Sequence, residues 1–312
     1  MSYASFTLFG KLQMQLNGHD ILGCEARKLQ ELLCYLLLHR DRPHAREMLA
    51  AVFWGNAPTA QSKKYLRQAL WQLQTALDSQ GANDHEPLLV VDSIWVRLNP
   101  QSSYWLDVAL FEAAFAQVQS ISAEKLMLEQ VQSLQEAAQL YKGDLLEGWH
   151  DDWCIFERER LQSMYLAMLD KLINYSEIQQ DFDSGLLYGV QVLRYDRARE
   201  STHRRLMRLY YLSGDRTGAL RQYQACVAAL RQELDVEPAD STQRLYQQIC
   251  ADKLSEIMGY QSDRQQHTPA ASEPSLIATI DQLQVLQSTL THLNQHVLEC
   301  IHTVEHILQR HP

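Results

Sequence analysis

Residues 59–77 read TAQSKKYLRQALWQLQTAL, with Leu66, Ala69, Leu70, Leu73 and Leu77 at i, i+3, i+4, i+7 spacing. That period is expected of a helix with one side packed on a core. Projection at about 100° per residue puts Lys63, Lys64, Arg67, Gln68, Trp71, Gln74 and Thr75 on the other side. No acidic residue occurs before Asp78. An outward Trp71 matters because a large apolar ring costs free energy in water unless something covers it. Cations, amides and an aromatic on an outward helical face match what a DNA major groove accepts. The competing reading is a solvated helix with a stray tryptophan, and the surrounding chain has to decide between them.

Upstream, Phe6, Leu8, Leu12, Met14 and Leu16 alternate with mostly polar neighbours, the period of a half-buried strand. Asn17 and Gly18 follow, a dipeptide suited to the positive φ of a hairpin turn. Leu29, Leu32, Leu33, Leu36 and Leu37 predict a first helix that ends near Arg42 and Pro43. A short second helix is expected from Arg46 to Phe53, closed by Trp54, Gly55 and Pro58. After the basic helix comes a polar break from Asn83 to Pro87. Leu88 to Val91 and Ile94 to Leu98 then read as strands around Asp92 and Ser93. Strands, three helices and a hairpin are the order of a winged helix-turn-helix with a small antiparallel N-terminal sheet. There the third helix enters the major groove and the hairpin reaches the neighbouring backbone or minor groove. Arg97, in the second hairpin strand, is a candidate phosphate contact or an ordinary surface arginine.

From Trp105 onward the strand signals vanish. Helices are expected over about 106–119, 123–141, 153–180, 184–194, 199–213, 216–234 and 239–258. The segments beginning Gln180-Asp181 and Gly214-Asp215 start 34 residues apart, the period of tetratricopeptide repeats, whose helix pairs stack to bury their apolar faces. Gly185 and Ala219, each followed by leucine, suit close helix packing. Residues 261–274 are polar and aperiodic and read as a linker. Beyond them Leu276, Leu283, Leu290, Val297 and Val304 recur every seven residues, with Ile280, Gln287, Asn294, Ile301 and Leu308 at the partnering position. This coiled-coil-like helix over 275–312 needs a partner, either a second copy or the chain's own repeat region. The expected division is therefore 1–104, 105–260, linker 261–274 and helix 275–312: a mainly α protein.

The chain has 312 residues, 46% hydrophobic and 21% charged, with a formal net charge of −10. That acidity opposes nucleic-acid binding only if it is spread evenly, and it is not. Residues 1–104 hold 10 Lys and Arg against 9 Asp and Glu, residues 105–260 hold 16 against 24, and residues 261–312 hold 2 against 5. A near-neutral region binds DNA when its cations share one face. The longest apolar run, Leu32 to Leu38, is far short of the ~20 residues of a membrane helix, and no signal peptide is visible. Six cysteines without a Cys-x-x-Cys pair suggest reduced thiols in a cytoplasmic protein. His302, Glu305 and His306 match the spacing of an inverted zincin motif, yet so near the end little chain is left for a third ligand, and a solvated polar face is the better reading. No catalytic constellation, cofactor or metal site is expected.

Several segments also resemble a known family. Residues 27–33 (RKLQELL), 36–40 (LLLHR) and 64–73 (KYLRQALWQL) resemble the winged helix of antibiotic-regulatory-protein (SARP) type regulators. Residues 141–146 (YKGDLL), Trp153, 157–161 (ERERL), 214–223 (GDRTGALRQY) and 233–238 (ELDVEP) resemble the bacterial transcriptional activator domain. The resemblance covers about residues 6–252. It implies a DNA-binding transcriptional regulator, often an activator that binds direct repeats in double-stranded promoter DNA and contacts RNA polymerase. Carried onto this chain, helix 59–77 is the recognition helix, with Lys63, Lys64, Arg67, Gln68, Trp71 and Gln74 on its outer face and Arg97 in the wing. Family wings often carry Gly-Tyr near the tip where Ser93, Ile94 and Trp95 stand here, and no Walker phosphate loop follows the repeats. The repeat region and terminal helix are expected to serve homodimerisation or sensing of a small-molecule or peptide effector. The alternative is an adaptor or sensor in which the repeat groove binds a signal or peptide and DNA binding is secondary.

Overall fold

The computed structural model describes residues 4–78 and 87–252. The chain divides into two units, Met1–Tyr260 and Gln261–Pro312. The expected polar break from Asn83, the linker 261–274 and the heptad helix 275–312 with its histidines lie wholly or partly outside the described residues, whereas the helix expected over 239–258 ends early, at Cys250, where the chain turns through Asp252 at φ 56°.

The protein is mainly α-helical, with small sheets near its N-terminus. β1 (Ala4–Thr7), β2 (Gln13–Leu16) and β3 (His19–Asp20) form antiparallel hairpins. The alternating segment expected as one strand is two, because the chain turns back through Gly10 at φ 84°, a region open to glycine at little cost. Asn17 and Gly18 make the next turn, at φ 55° and 81°. α1 (Arg27–Leu38), α2 (Arg46–Trp54) and α3 (Thr59–Asp78) follow. β4 (His44–Ala45) precedes α2 and joins β5 (Leu89–Val91) and β6 (Trp95–Leu98) in a second sheet of order β4-β6-β5. β7 (Tyr104–Leu106) returns to the first sheet and pairs parallel to β1, giving the order β3-β2-β1-β7.

The remaining helices are α4 (Asp107–Val118), α5 (Leu128–Leu140), α6 (Asp152–Ile178), α7 (Phe182–Tyr195), α8 (Glu200–Leu212), α9 (Arg216–Leu234) and α10 (Asp240–Cys250). The helix expected over 123–141 is broken: a short 3-10 turn ends at Lys125, Leu126 and Met127 are extended, and the Met127 N–H donates to the Gln130 side chain at 3.0 Å as α5 begins. The 34-residue spacing recurs in the coordinates. Asp181 and Asp215 cap α7 and α9 by accepting from Ser184 N–H and Gly218 N–H, each supplying an acceptor for an otherwise orphaned donor. α7 approaches α8 so closely that a Cβ at Gly189 would lie 2.4 Å from Leu206. The region is thus built of stacked helix pairs. No helix among the described residues is long and apolar enough to cross a membrane.

One core runs from Ala4 through α1, α3, α4 and α6 to Leu209. Asp107, 1% exposed, secures the junction. Its Oδ2 accepts from Leu8 N–H at 2.8 Å and Phe9 N–H at 2.9 Å, and its Oδ1 from Val108 N–H at 2.7 Å. Burial raises its carboxyl pKa and these donors pull it back down. Truncation strands buried N–H groups, so Asp107→Ala is expected to lose about 3 kcal/mol of stability, read as a lower urea midpoint by circular dichroism. An unchanged midpoint removes the carboxylate from its structural role.

Candidate nucleic-acid interface

α3 sits on α1 and α2 because one side of it is apolar: Leu66, Leu70 and Leu73 are at most 2% exposed. Its start is pinned by Ser62, whose buried hydroxyl lies 2.8 Å from the Trp54 carbonyl and 3.1 Å from that of Ala57. The opposite face is bare. Lys63, Lys64, Arg67, Gln68 and Thr75 are exposed, and Trp71 is 64% exposed. Gln74, expected on the same face, is half-buried at its edge.

The cations of this face are not equally free. Lys63 Nζ lies 2.6 Å from Glu47 Oε1 of α2, an exposed pair, and the lysine holds the Glu47 carboxyl below its usual range. Water and salt screen such a pair. Lys64 and Arg67 make no hydrogen bond or ion pair among the described residues. α3 thus offers two unneutralised cations, an amide and an indole along one exposed strip.

The β5–β6 hairpin presents a second exposed surface. Arg97 points outward between the buried Val96 and Leu98. The tip is rigid: Asp92 Oδ1 accepts from both Ile94 N–H and Trp95 N–H at 2.7 Å, and these donors lower its carboxyl pKa. Arg46, the first residue of α2, ties the tip down by donating its N–H to the Ile94 carbonyl and its guanidinium to the Asp92 carbonyl, each at 2.9 Å. Ile94 at 61% and Trp95 at 43% are the exposed apolar groups of the hairpin. Sequence reasoning placed neither Arg46 nor the two apolar residues at a site. The available signal was a cation opening α2, where the helix dipole disfavours positive charge and a phosphate would offset it.

Residues 106–250 match the family model of the bacterial transcriptional activator domain. The transcriptional regulatory protein MoaR1 of Mycobacterium tuberculosis and that of Mycobacterium bovis are each 26% identical to this chain over 251 residues, which cover 78% of this chain and 78% of the relative. Among solved structures, Mycobacterium tuberculosis EmbR, determined in complex with a low-affinity phosphopeptide, superposes with a TM-score of 0.62 at 19% identity. It covers 81% of this chain, and the match spans 66% of the EmbR chain; it establishes a shared fold. Residues 106–250 are therefore similar to the bacterial transcriptional activator domain, and the chain is similar, at moderate identity, to the MoaR1 transcriptional regulatory proteins.

Proposed function

We propose that the chain is a DNA-binding transcriptional regulator, an activator, whose residues 1–104 form a winged helix-turn-helix that reads promoter DNA. The observation that carries this reading is the bare outer face of α3, with its unpaired cations and a 64% exposed Trp71 on a helix whose other side is fully packed. The relationship to the MoaR1 transcriptional regulators supports it independently. α3 lies in the major groove. Arg67 pairs with guanine and Gln68 with adenine, Trp71 covers a thymine methyl or a sugar, and Lys63 and Lys64 meet phosphates. Gln74 lines the edge of this contact, and the β5–β6 wing, with Arg97, reaches the adjacent backbone. Residues 105–260 serve as the tetratricopeptide-like region that contacts polymerase or senses an effector. The C-terminal amphipathic helix pairs two copies, since one module gives limited specificity and two on adjacent half-sites multiply affinity. The protein works in the cytoplasm, on the nucleoid, without a cofactor or catalytic role.

Arg67 is exposed and makes no contact that holds the fold, so Arg67→Ala is expected to keep the circular dichroism spectrum and unfolding midpoint while losing specific promoter binding about tenfold or more, about 1–3 kcal/mol for one bidentate base contact. A gel-shift titration with unchanged promoter affinity sinks the recognition-helix assignment. The Lys63–Glu47 pair generates a prediction of opposite sign. Glu47→Gln releases the lysine and removes a nearby negative charge, so affinity for any duplex is expected to rise, with a salt dependence steeper by about one phosphate contact. A variant that binds more weakly, or with the same salt slope, places Lys63 away from the backbone.

A further inference from the structure

A cavity of about 360 Å³ opens where the turn after α1 meets α4 and α6. His39, Arg40 and Asp41 line it from the turn, Glu112 from α4, and Glu157 and Arg160 from α6. The volume suits a small metabolite. The lining is an ionic cluster organised by Glu112, whose side chain is 18% exposed. Its Oε2 is 2.5 Å from Arg40 Nη2 and its Oε1 is 2.6 Å from Arg160 Nη2. Arg160 also lies 2.7 Å from Glu157 Oε2.

The cluster is incompletely paired. Among the described residues Arg40 is engaged through Nη2 only, which leaves the Nε and Nη1 N–H groups of its guanidinium for another acceptor. Glu157 uses one carboxylate oxygen, and Asp41 is exposed with neither hydrogen bond nor ion pair. The lining offers free guanidinium N–H donors beside free acceptors, so charge selects the ligand. A simple anion meets three carboxylates and a simple cation meets two guanidiniums. A molecule with both charges a few ångströms apart satisfies each side by charge-assisted hydrogen bonds.

We propose that this cavity binds a small zwitterion of the α-amino acid class, its carboxylate on Arg40 and its ammonium between Asp41 and Glu157. Such a ligand bridges the turn that leads into β4 and α2 to the helices α4 and α6. Its effect on DNA binding rests on the function proposed above; the binding itself does not.

The test uses the purified full chain and the proteinogenic L-amino acids, with acetate and ethylamine as singly charged controls. At least one amino acid is expected to raise Tm by a few degrees when present well above its Kd, while neither control does. Asp41 makes no hydrogen bond or ion pair among the described residues, so Asp41→Asn is expected to keep the ligand-free Tm and weaken ligand binding at least about tenfold by calorimetry. No Tm rise with any amino acid overturns the proposal, as does an equal rise with acetate alone or undiminished affinity in Asp41→Asn. Promoter affinity measured on the same preparations separates the two readings: DNA binding without any ligand effect on Tm overturns the cavity assignment alone, and amino acid binding in a protein that ignores DNA overturns the regulator reading alone.

Discussion

Trp153, at the start of α6, is wedged against rings from α1 and α2, the two helices on which α3 packs. Its indole lies edge-on to Tyr35 of α1 at 5.6 Å, to Phe53 of α2 at 6.3 Å and to Trp149 at 6.2 Å. The Arg27 guanidinium covers Trp149 at 3.7 Å. The bend before α6 is fixed by Arg158, which donates to the carbonyls of Leu145, Leu146 and Trp149 at 2.9–3.1 Å. The same bend bonds back to the N-terminal strand region through Leu146 N–H to the Leu8 carbonyl and Gly10 N–H to the Asp144 carbonyl. Burying rings of this size contributes about 2–3 kcal/mol apiece. To rotate α1 and α2 against α6, those edge contacts must be parted, so α3 rests on a base of two helices that are themselves fastened to α6.

That base explains why a chain of net charge −10 can show a basic face. Several carboxylates among the described residues are engaged away from α3. Glu31 holds Arg27 and Lys28 at 2.8 and 2.6 Å, Glu112 holds Arg40 and Arg160, and Asp107 is enclosed by backbone donors. Among the ion pairs of the described residues, only that of Glu47 reaches α3, through Lys63. With screening over about 10 Å at 0.1 M salt, the acidic surplus of residues 105–260 acts weakly on an approaching duplex, while cations on one exposed strip act together.

How much was legible in the sequence follows from the range of the interactions. The packed leucines and outward Trp71 of α3, the hairpin after residue 88 and the 34-residue helix spacing are local periodicities, and each appears in the coordinates. The parallel pairing of β7 with β1 joins Phe6 to Leu106, a contact that no local pattern encodes. Gly10 splits an alternation that looks continuous, since a single residue at φ 84° reverses the strand without disturbing its polarity pattern. Within the candidate interface, the helical wheel placed the α3 residues, with Gln74 drawn to the edge. It gave no sign that Glu47 occupies Lys63 or that Arg46 fastens the wing, because both bonds cross between elements.

The turn 39–41 joins these parts mechanically. It is closed by His44, whose Nε2 lies 3.0 Å from the His39 carbonyl, and burial depresses the pKa of both imidazoles, so they are mostly neutral near pH 7. A closed turn transmits displacement, where an open one would absorb it. Immediately after it, Ala45 pairs with Trp95 in the sheet, and Arg46 grips the wing tip through the Asp92 and Ile94 carbonyls. From Arg40, held by Glu112 of α4, to Arg46 the path is a short run of backbone with a bonded partner at each end. Were the cavity at Arg40 occupied as proposed, this short run of backbone to Arg46 is the physical connection between that site and the wing; the coupling itself needs a two-state element that both sites bias.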